Sequence, residues 1–320
     1  MNKLTKKIKG ILIALAVIAL LLGGTVTYIV GGMVYEETVG YVDEKYQNTS
    51  IEEVYAESPE LVARLEEYEV TDLMIPSSNG YDIEAKWISA PEESQNTVVI
   101  VHGIGMNMWR HFREALMYLD NNYNVLIYNQ RYTGATGGDN RSFGYHEKYD
   151  IASVMSYLRA AYPDHTIGAH GFSMGAGTLG MYSGMEEATQ DADFLILDCP
   201  YDTMEGAIRV GIEKEDVPLI PVSYAVWAGD VYNRFKSGFS YKDVQIAEEA
   251  SKSKVPMFVI HGEADSTCTV EMGQAIYDAK VEGYKELWIA EGIEHVKIFP
   301  AYPEEYERRV LAFINEAVSK

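Results

Sequence analysis

The chain is predicted to form an α/β fold with a mostly parallel central sheet and helices on both of its faces. Three features of the sequence predict this fold. From about residue 70 onward, strand-like and helix-like segments alternate. Several of the strand-like segments are continuous apolar runs, which are typical of parallel strands buried on both faces. One such run leads directly into Gly171-Phe172-Ser173-Met174-Gly175, a sequence typical of a sharp turn from strand to helix.

The strands follow from the spacing of apolar residues. Residues 81–88 alternate apolar and polar side chains, as in an antiparallel edge hairpin. The continuous apolar runs predict parallel strands over 97–101, 124–128, 166–170, 194–197, 255–260 and 286–289. Helical spacing between and after them predicts helices such as 150–162 and 303–318.

The N-terminal residues 1–35 differ in character from the rest of the chain. Four lysines, Lys3, Lys6, Lys7 and Lys9, precede an uncharged stretch over 10–35 that is most apolar at 11–22. About 20 apolar residues can cross a bilayer as a helix, and a basic flank predicts a cytoplasmic N-terminus. We therefore expect a single-pass anchor in the cell membrane, with the rest of the chain outside the cytoplasm. The alternative is a cleaved signal peptide and a secreted protein.

The remaining chain divides into a connecting segment and one large domain. Residues 36–70 are expected to form a linker with short docking helices, because Ser50-Ile51-Glu52-Glu53 fits a capping box and Pro59 suits the first position of a helix. Residues 71–320 are expected to form the main domain. Within it, residues 200–254 are too long for a simple crossover and predict an inserted lid over the strand ends.

Composition excludes some classes of function. The formal net charge is −22, and such an acidic surface argues against nucleic acid as a partner. The two cysteines, Cys199 and Cys268, each follow a predicted strand. Two alternatives stay open for them: a disulfide in an exported protein, or two buried thiols that act as small apolar side chains.

The turn at Gly171–Gly175 matches the G-x-S-x-G pattern that presents a serine nucleophile. A serine hydroxyl is a weak nucleophile, so Ser173 needs a base and a strained turn that exposes its oxygen. Close packing around such a turn leaves little room for side chains at Gly171 and Gly175. The overlapping G-x-G-x-x-G at 175–180 fits a dinucleotide site poorly, because its first glycine does not follow the strand directly.

A base and an acid are expected at the ends of later strands, in the chain order serine, acid, histidine. Asp265 follows the penultimate predicted strand and is the candidate acid, whereas His295 follows the last strand and is the candidate base. Asp198 is the competing acid at the end of an earlier strand. The other residues near strand ends are expected to shape turns or to lie buried, namely Glu263, His102, His261 and His170.

Hydrolysis through a serine also needs N–H donors for the negatively charged oxygen of the intermediate. The backbone N–H of Met174, directly after the nucleophile, is one candidate. The second is the N–H of Ile104, in the loop His102-Gly103-Ile104 after the first central strand.

Taken together, these motifs resemble those of the alpha/beta-hydrolase superfamily. The chain is most similar to the bacterial membrane-anchored or secreted hydrolases that are often labelled serine aminopeptidase-like. The matching motifs occur in the family's order over about 70–318: His102-Gly103, Arg131 through Gly137-Gly138, Gly171–Gly175, His261-Gly262 with Asp265, and His295. The resemblance implies hydrolysis of an ester, thioester or amide through an acyl-enzyme, with no metal and no organic cofactor.

Two departures from the family pattern concern the loops around the site. Glu294 stands where the family often has a glycine before the final histidine. Tyr132-Thr133-Gly134-Ala135-Thr136 replaces the more common Arg-Gly-His-Gly.

The sequence therefore predicts a serine hydrolase of the carboxylesterase type that acts on a small-molecule acyl ester. A peptidase or aminopeptidase acting on a short peptide, or an acyl thioesterase, is the alternative within the same class. A peptidase would need a carboxylate for the free amine, and the lid region offers Glu205, Glu213, Glu215 and Asp216. A non-catalytic binding module on a hydrolase fold is the alternative from a different class.

Overall fold

The computed structural model describes residues 3–41, 47–215 and 219–319. Within these ranges the strands form one eight-stranded sheet in the order β1-β2-β4-β3-β5-β6-β7-β8. The strands are β1 (Val70–Pro76), β2 (Asp82–Ile88), β3 (Asn96–Val101), β4 (Asn124–Tyr128), β5 (Thr166–Phe172), β6 (Phe194–Asp198), β7 (Met257–Gly262) and β8 (Lys285–Ala290). Strands β3 to β8 pair in parallel, whereas β1 and β2 are antiparallel to their neighbours. The predicted mostly parallel sheet is confirmed.

One strand was not predicted from the sequence. β1 has an irregular pattern of burial, ends in Pro76 and pairs only with β2 at the edge of the sheet. An edge strand with one partner needs neither an apolar run nor strict alternation, so its sequence carries little strand signal.

Helices cover both faces of the sheet. The helices that the structure describes are α1 (Lys3–Glu37), α2 (Ile51–Val54), α3 (Pro59–Leu65), α4 (Phe112–Asp120), α5 (Glu147–Ala161), α6 (Met174–Ser183), α7 (Glu186–Asp191), α8 (Met204–Lys214), α9 (Val222–Ser237), α10 (Ile246–Lys252), α11 (Val270–Ala279), α12 (Ile298–Ala301) and α13 (Pro303–Ser319). Short 3₁₀ helices occupy Met108–His111 and Tyr241–Asp243. The helices predicted over 150–162 and 303–318 correspond to α5 and α13.

The core consists of two apolar layers, one on each face of the sheet. Alternate residues of β3 show the division, because Val98 and Ile100 join one layer while Val99 and Val101 join the other. Helices α4 and α13 cover the first layer, and α5, α6, α8, α10 and α11 contribute to the second. Burial on both faces explains the continuous apolar runs of the parallel strands.

The C-terminal part of α1 packs against α9. Val30 is buried with Ala225 and Ala228 of α9, and Thr27 shares a 2.9 Å hydrogen bond between its Oγ1 and the hydroxyl of Tyr224. Tyr35 accepts a hydrogen bond from Ser237 at 3.1 Å. These contacts place the end of α1 against the protein rather than at its periphery.

Within the described ranges, none of the helices combines the length and the apolar character needed to cross a membrane. The membrane-spanning helix that the sequence predicted in residues 1–35 is therefore not supported by the structure.

The connecting segment contacts the main domain through α2 and the residues that follow it. Ser50 caps α2, since its Oγ accepts a hydrogen bond from Glu53 N while Glu53 Oε2 accepts one from Ser50 N. Ile51 and Tyr55 are buried in the same apolar layer as α4. The segment thereby lies against the end of the sheet at which β3 and β5 finish.

The turn between β5 and α6 is packed too closely for side chains at its two glycines. A Cβ on Gly175 would lie 2.1 Å from the carbonyl oxygen of Val101 in β3, and a Cβ on Gly171 would lie 2.4 Å from the carbonyl oxygen of Gly175. Real Cβ contacts are never this short, so the backbone would have to move. These glycines bring the start of α6 directly against the end of β3.

The Gly175→Ala substitution tests this packing. We expect it to lower the free energy of unfolding by about 1–3 kcal/mol, because the atoms that it meets belong to the backbone of β3. Gly211→Ala is the matched control, since a Cβ at that position in α8 meets nothing within 4 Å. The control should be neutral or stabilise the protein by up to about 1 kcal/mol. Urea unfolding followed by circular dichroism measures both, and equal stability of the two variants would contradict the packing argument.

Candidate active site

The structure brings the predicted nucleophile, base and acid together. Ser173 follows β5, Asp265 lies in the loop after β7, and His295 lies in the loop after β8. Ser173 Oγ is 2.9 Å from His295 Nε2, and His295 Nδ1 is 2.6 Å from Asp265 Oδ2. The three side chains form one hydrogen-bonded chain at the carboxyl ends of parallel strands, where open α/β sheets bind ligands.

Ser173 has a strained backbone. Its φ of 53° and ψ of −114° are rare for a residue with a side chain, and such a conformation costs about 1–3 kcal/mol. The surrounding structure holds it there, because Ser173 N donates to Asp198 O at 2.9 Å and the turn is clamped between β3 and α6. The strain points Ser173 Oγ away from the sheet toward His295.

Asp265 is buried and well supplied with hydrogen bonds. Its Oδ1 accepts from the backbone N–H groups of Thr267 at 2.8 Å and Cys268 at 2.9 Å. Burial alone would raise the pKa of Asp265, but hydrogen bonds from His261 and His295, together with the one from Thr267, hold that pKa well below its usual range. His261 Nε2 donates mainly to Cys268 O at 2.8 Å and lies 3.4 Å from Asp265 Oδ2. The carboxylate is therefore ionised at neutral pH and faces His295.

The loop that carries His295 rests on Cys199. Val296 N donates to Cys199 Sγ at 3.3 Å. Both residues have positive φ, 53° for Cys199 and 52° for Val296, as Ser173 also does. Unfavourable backbone conformations thus cluster around this site, as they do around many functional sites. Cys199 and Cys268 are both buried and free, so the structure contains no disulfide between them.

The competing acid has a different partner. Asp198 Oδ2 accepts a 2.6 Å hydrogen bond from the hydroxyl of Tyr306, and burial raises the pKa of Asp198. The same tyrosine hydroxyl lies 3.0 Å from His170 Nε2. Asp198 therefore belongs to a buried network below the turn, while its backbone carbonyl holds Ser173.

The competing histidines support loops. His102 Nδ1 donates to Gly103 O at 2.8 Å and His102 Nε2 accepts from Gln130 N at 3.0 Å. Burial lowers the pKa of His102 to about 3, so it is neutral at physiological pH. Glu263 also has a structural contact, because its Oε2 accepts from Gly292 N at 3.0 Å. These observations agree with the turn-shaping roles expected from the sequence.

The two residues predicted to donate backbone N–H groups flank Ser173. Met174 is the first residue of α6, so its N–H has no partner within the helix. Ile104 lines the pocket beside Ser173, and a Cβ on the preceding Gly103 would lie 3.4 Å from Ser173 Cβ. The loop after β3 thus approaches the serine closely.

A pocket of about 950 Å³ opens beside Ser173 and His295. Its wall consists mainly of residues from 48–58, 103–114 and 295–300, with Phe172 and Thr267. The sequence had predicted a lid from 200–254 over the strand ends. Within the described part of 200–254, no residue lines this pocket, because α9 packs against α1 instead.

The segment 48–58 is held firmly against the rest of the pocket. The hydroxyl of Tyr55 donates to Arg110 O at 2.9 Å and accepts from Phe112 N at 3.2 Å. Asn107 Nδ2 donates to Thr49 O at 2.7 Å, and Arg113 donates to Ser58 Oγ at 3.0 Å. We call residues 48–58 the pocket strap. The sequence predicted that it docks, but its place in the pocket depends on contacts between distant residues.

Two buried pocket residues were not singled out from the sequence. His111 and Glu114 lie at the start of α4, with His111 Nδ1 3.5 Å from Glu114 Oε1. The His111 ring stacks on Phe172, with 3.8 Å between the ring centres. The His-x-x-Glu spacing of these two residues was the available signal in the sequence. Pairs at this spacing are common on the surfaces of amphipathic helices such as α4, so the spacing alone does not indicate a pocket.

The lid acids that could have served a peptidase lie elsewhere. Glu205 forms a 3.1 Å ion pair with Arg209 on α8. Neither Glu205 nor Glu213 nor Glu215 lines the pocket, and Asp216 lies outside the described residues.

Among the described residues, one group of side chains has the spacing of a metal site. Ligand atoms of Cys199, Asp265 and His295 all lie within 4.8 Å of one another. Burial raises the pKa of the Cys199 thiol, and the carboxylates of Asp198 and Asp265 raise it further. Since a metal needs the thiolate, this environment makes the group a poor fit for a metal ion.

Comparison with known proteins identifies the family. A family model described as the alpha/beta hydrolase fold matches residues 96–212. An uncharacterised Bacillus subtilis protein, YqkD, is 30% identical over 305 residues, which cover 93% of this chain and 97% of that protein. The chain belongs to the alpha/beta-hydrolase superfamily.

Solved structures of alpha/beta hydrolases resemble this chain. The Pyrococcus furiosus esterase Pf2001 is 25% identical, with a TM-score of 0.63, and the match covers 79% of this chain and 94% of that one. A thermostable carboxyl esterase from Bacillus coagulans is 18% identical, with a TM-score of 0.59 over 78% of this chain and 99% of that one. Because the identity to the Bacillus coagulans protein is low, that likeness shows a shared fold. The family match and these structures support a hydrolase.

The ionisation of Asp265 predicts how stability depends on pH. Its folded pKa is lowered, so it stabilises the protein above the pKa of an unfolded aspartate, about 4, and this stabilisation is lost as the pH falls further. The difference in free energy of unfolding between the wild type and Asp265→Asn should be constant from pH 7 to 5 and shrink by pH 3. Urea unfolding at each pH measures it.

Asp164→Asn, at an exposed position, controls for the loss of one negative charge. A difference between the wild type and Asp265→Asn that is unchanged at pH 3 would contradict the ionised, hydrogen-bonded state of Asp265.

Proposed function

We propose that this protein is a serine hydrolase that cleaves carboxylic esters through an acyl-enzyme. Ser173 is the nucleophile, His295 the general base and Asp265 the residue that orients His295. The observation that carries the proposal is the hydrogen-bonded chain from Ser173 Oγ through the His295 ring to a buried carboxylate, beside an open pocket. This arrangement is what activation of a serine hydroxyl requires.

In the first half of the reaction, Ser173 Oγ attacks the ester carbonyl while His295 Nε2 takes the hydroxyl proton. The positive charge on the imidazole is stabilised by Asp265, whose lowered pKa keeps it ionised. His295 then donates that proton to the departing alkoxide, which leaves as the alcohol and forms the acyl-serine. In the second half, a water molecule takes the place of the alcohol, the same proton transfers repeat, and the carboxylic acid and free Ser173 result.

We assign stabilisation of the tetrahedral intermediate to the backbone N–H groups of Met174 and Ile104. Met174 begins α6, so its N–H points out of the helix start, where the helix dipole also favours negative charge. The short approach between Gly103 and Ser173 supports the choice of Ile104 on the other side.

We favour ester cleavage over amide cleavage as the activity. The basis is that Pf2001 and the Bacillus coagulans protein, which resemble the chain, are both described as esterases. The acids do not decide between the two substrate classes. The lid-region acids do not line the pocket, as far as the structure describes them, but Glu53, Glu57 and Glu114 do.

Ser173→Ala should abolish activity. We expect hydrolysis of p-nitrophenyl butanoate to fall about a thousandfold or more, and labelling by a fluorophosphonate probe to disappear, because no other group replaces the nucleophile. Ser156→Ala, at an exposed position on α5, is the matched control and should retain both properties. A wild-type protein that is folded but neither labels nor hydrolyses any ester of a panel would overturn the proposal.

Ile104→Pro tests the N–H donor in isolation. Proline removes the backbone N–H, so kcat should fall about 100- to 1,000-fold. Ile104→Ala changes the side chain but keeps the N–H, and its kcat should stay within about fivefold of the wild type. Circular dichroism of both variants establishes that they are folded. If the two variants lose the same activity, the Ile104 N–H is not a donor to the intermediate.

A further inference from the structure

The carboxylate of Glu114 is a buried group in the pocket wall that the proposed mechanism does not use. Its side chain is 9% exposed and lines the same pocket as Ser173. Within the part of the chain that the structure describes, it has no hydrogen bond, and its one ionic contact is His111 Nδ1 at 3.5 Å. That separation is longer than a normal N–H···O hydrogen bond.

A carboxylate with so little exposure and no hydrogen bond from the protein is unusual. Burying a charged group without hydrogen bonds costs several kcal/mol, so buried charges in folded proteins are normally paired. Groups that break this rule cluster at functional sites, where a ligand completes their interactions. The carboxylate also influences its surroundings. Burial raises the pKa of Tyr55 to about 12, and the negative charge of Glu114 contributes to this rise.

The position of Glu114 connects it to the reacting serine. Its neighbour His111 stacks on Phe172, and Phe172 immediately precedes Ser173. A group bound between Glu114 and His111 would therefore lie on the pocket wall that continues into the nucleophile turn. The pocket strap covers this wall, since Tyr55 is hydrogen-bonded to the backbone of Arg110 and Phe112 on either side of His111.

We propose that Glu114 binds an ammonium group of the substrate, so that the preferred substrates are esters that carry a positively charged amine. This inference rests on the proposed esterase function and names its substrate class. An ammonium group offers three N–H donors and a positive charge, and a carboxylate accepts such charge-assisted hydrogen bonds strongly. The formal net charge of −22 favours the approach of cations over anions.

Three cationic side chains also line the pocket, namely Arg110, Arg113 and Lys297. All three residues are exposed, so water and salt weaken their repulsion of a cation. Arg113 also donates a hydrogen bond to Ser58 Oγ of the pocket strap. Among the described residues of the pocket, Glu114 is the buried carboxylate. Water and salt therefore screen its attraction for an ammonium group the least.

Matched pairs of p-nitrophenyl esters test the inference on the acyl side. Each pair has an ammonium or a methyl group at the end of an equally long chain: glycyl with propanoyl, β-alanyl with butanoyl, and 6-aminohexanoyl with heptanoyl. 6-Aminohexyl butanoate with heptyl butanoate places the ammonium group on the alcohol side. The quantity compared is the ratio of kcat/KM for the charged ester to that for the uncharged one.

In Glu114→Gln this ratio should fall about 10- to 100-fold relative to the wild type for at least one pair, because a charge-assisted hydrogen bond is lost. Glu60→Gln removes the same charge from an exposed position outside the pocket, and its ratio should stay within twofold of the wild type. A ratio in Glu114→Gln within twofold of the wild type for all pairs overturns the inference.

A measurement on the wild type covers the case in which Glu114→Gln does not fold. Hexylammonium should inhibit butanoate hydrolysis competitively, with a Ki at least tenfold lower than that of hexanol. Equal or weaker inhibition by hexylammonium overturns the inference. Hydrolysis of the uncharged esters by the wild type, and its loss in Ser173→Ala, test the proposed function independently of Glu114. Failure of the inference can therefore be distinguished from failure of the proposed function.

Discussion

The tight turn at Ser173 is the constraint on which the rest of the site depends. Its backbone conformation is unfavourable, and it persists because β3, α6 and the carbonyl of Asp198 leave the chain no other path. The same packing that forces Ser173 out of the sheet sets the start of α6 and the loop after β3 on either side of the serine. A rigid sheet interior thus determines the geometry of a small polar site at its edge.

The remaining polar groups of the site converge on the serine because they follow adjacent strands. β5, β6 and β7 are neighbours in the sheet, and β8 is next to β7, so the loops that carry Ser173, Cys199, Asp265 and His295 meet at one edge. Asp265 is ionised within the protein because histidine and backbone donors compensate for its burial. Its charge is directed at His295, whose side chain is 22% exposed and can therefore reach both Ser173 and a substrate.

Much of this could be predicted from the sequence. The buried parallel strands have nearly unmistakable apolar runs, and strand ends identify where Asp265 and His295 should meet Ser173, although both lie beyond the family-model match at 96–212.

The pocket could not be predicted in the same way. Which segment covers it depends on long-range contacts, such as those of Tyr55 with Arg110 and Phe112, that leave no periodic signal. For the same reason the sequence favoured a lid from 200–254, whereas the pocket strap comes from the N-terminal side. The apolar residues before position 35 predicted a membrane span, yet the end of α1 packs against α9.

The central claim, an acyl group carried by Ser173 during turnover, can be observed directly. The wild-type protein would be mixed with p-nitrophenyl acetate, quenched in acid during the first turnover and analysed by intact mass spectrometry and peptide mapping. We expect one acetyl group per chain, located on Ser173 in the peptide that contains Gly171–Gly175, and its disappearance once the ester is consumed. Steady hydrolysis without any acetylated protein, or an acetyl group that maps to another residue, would contradict this account.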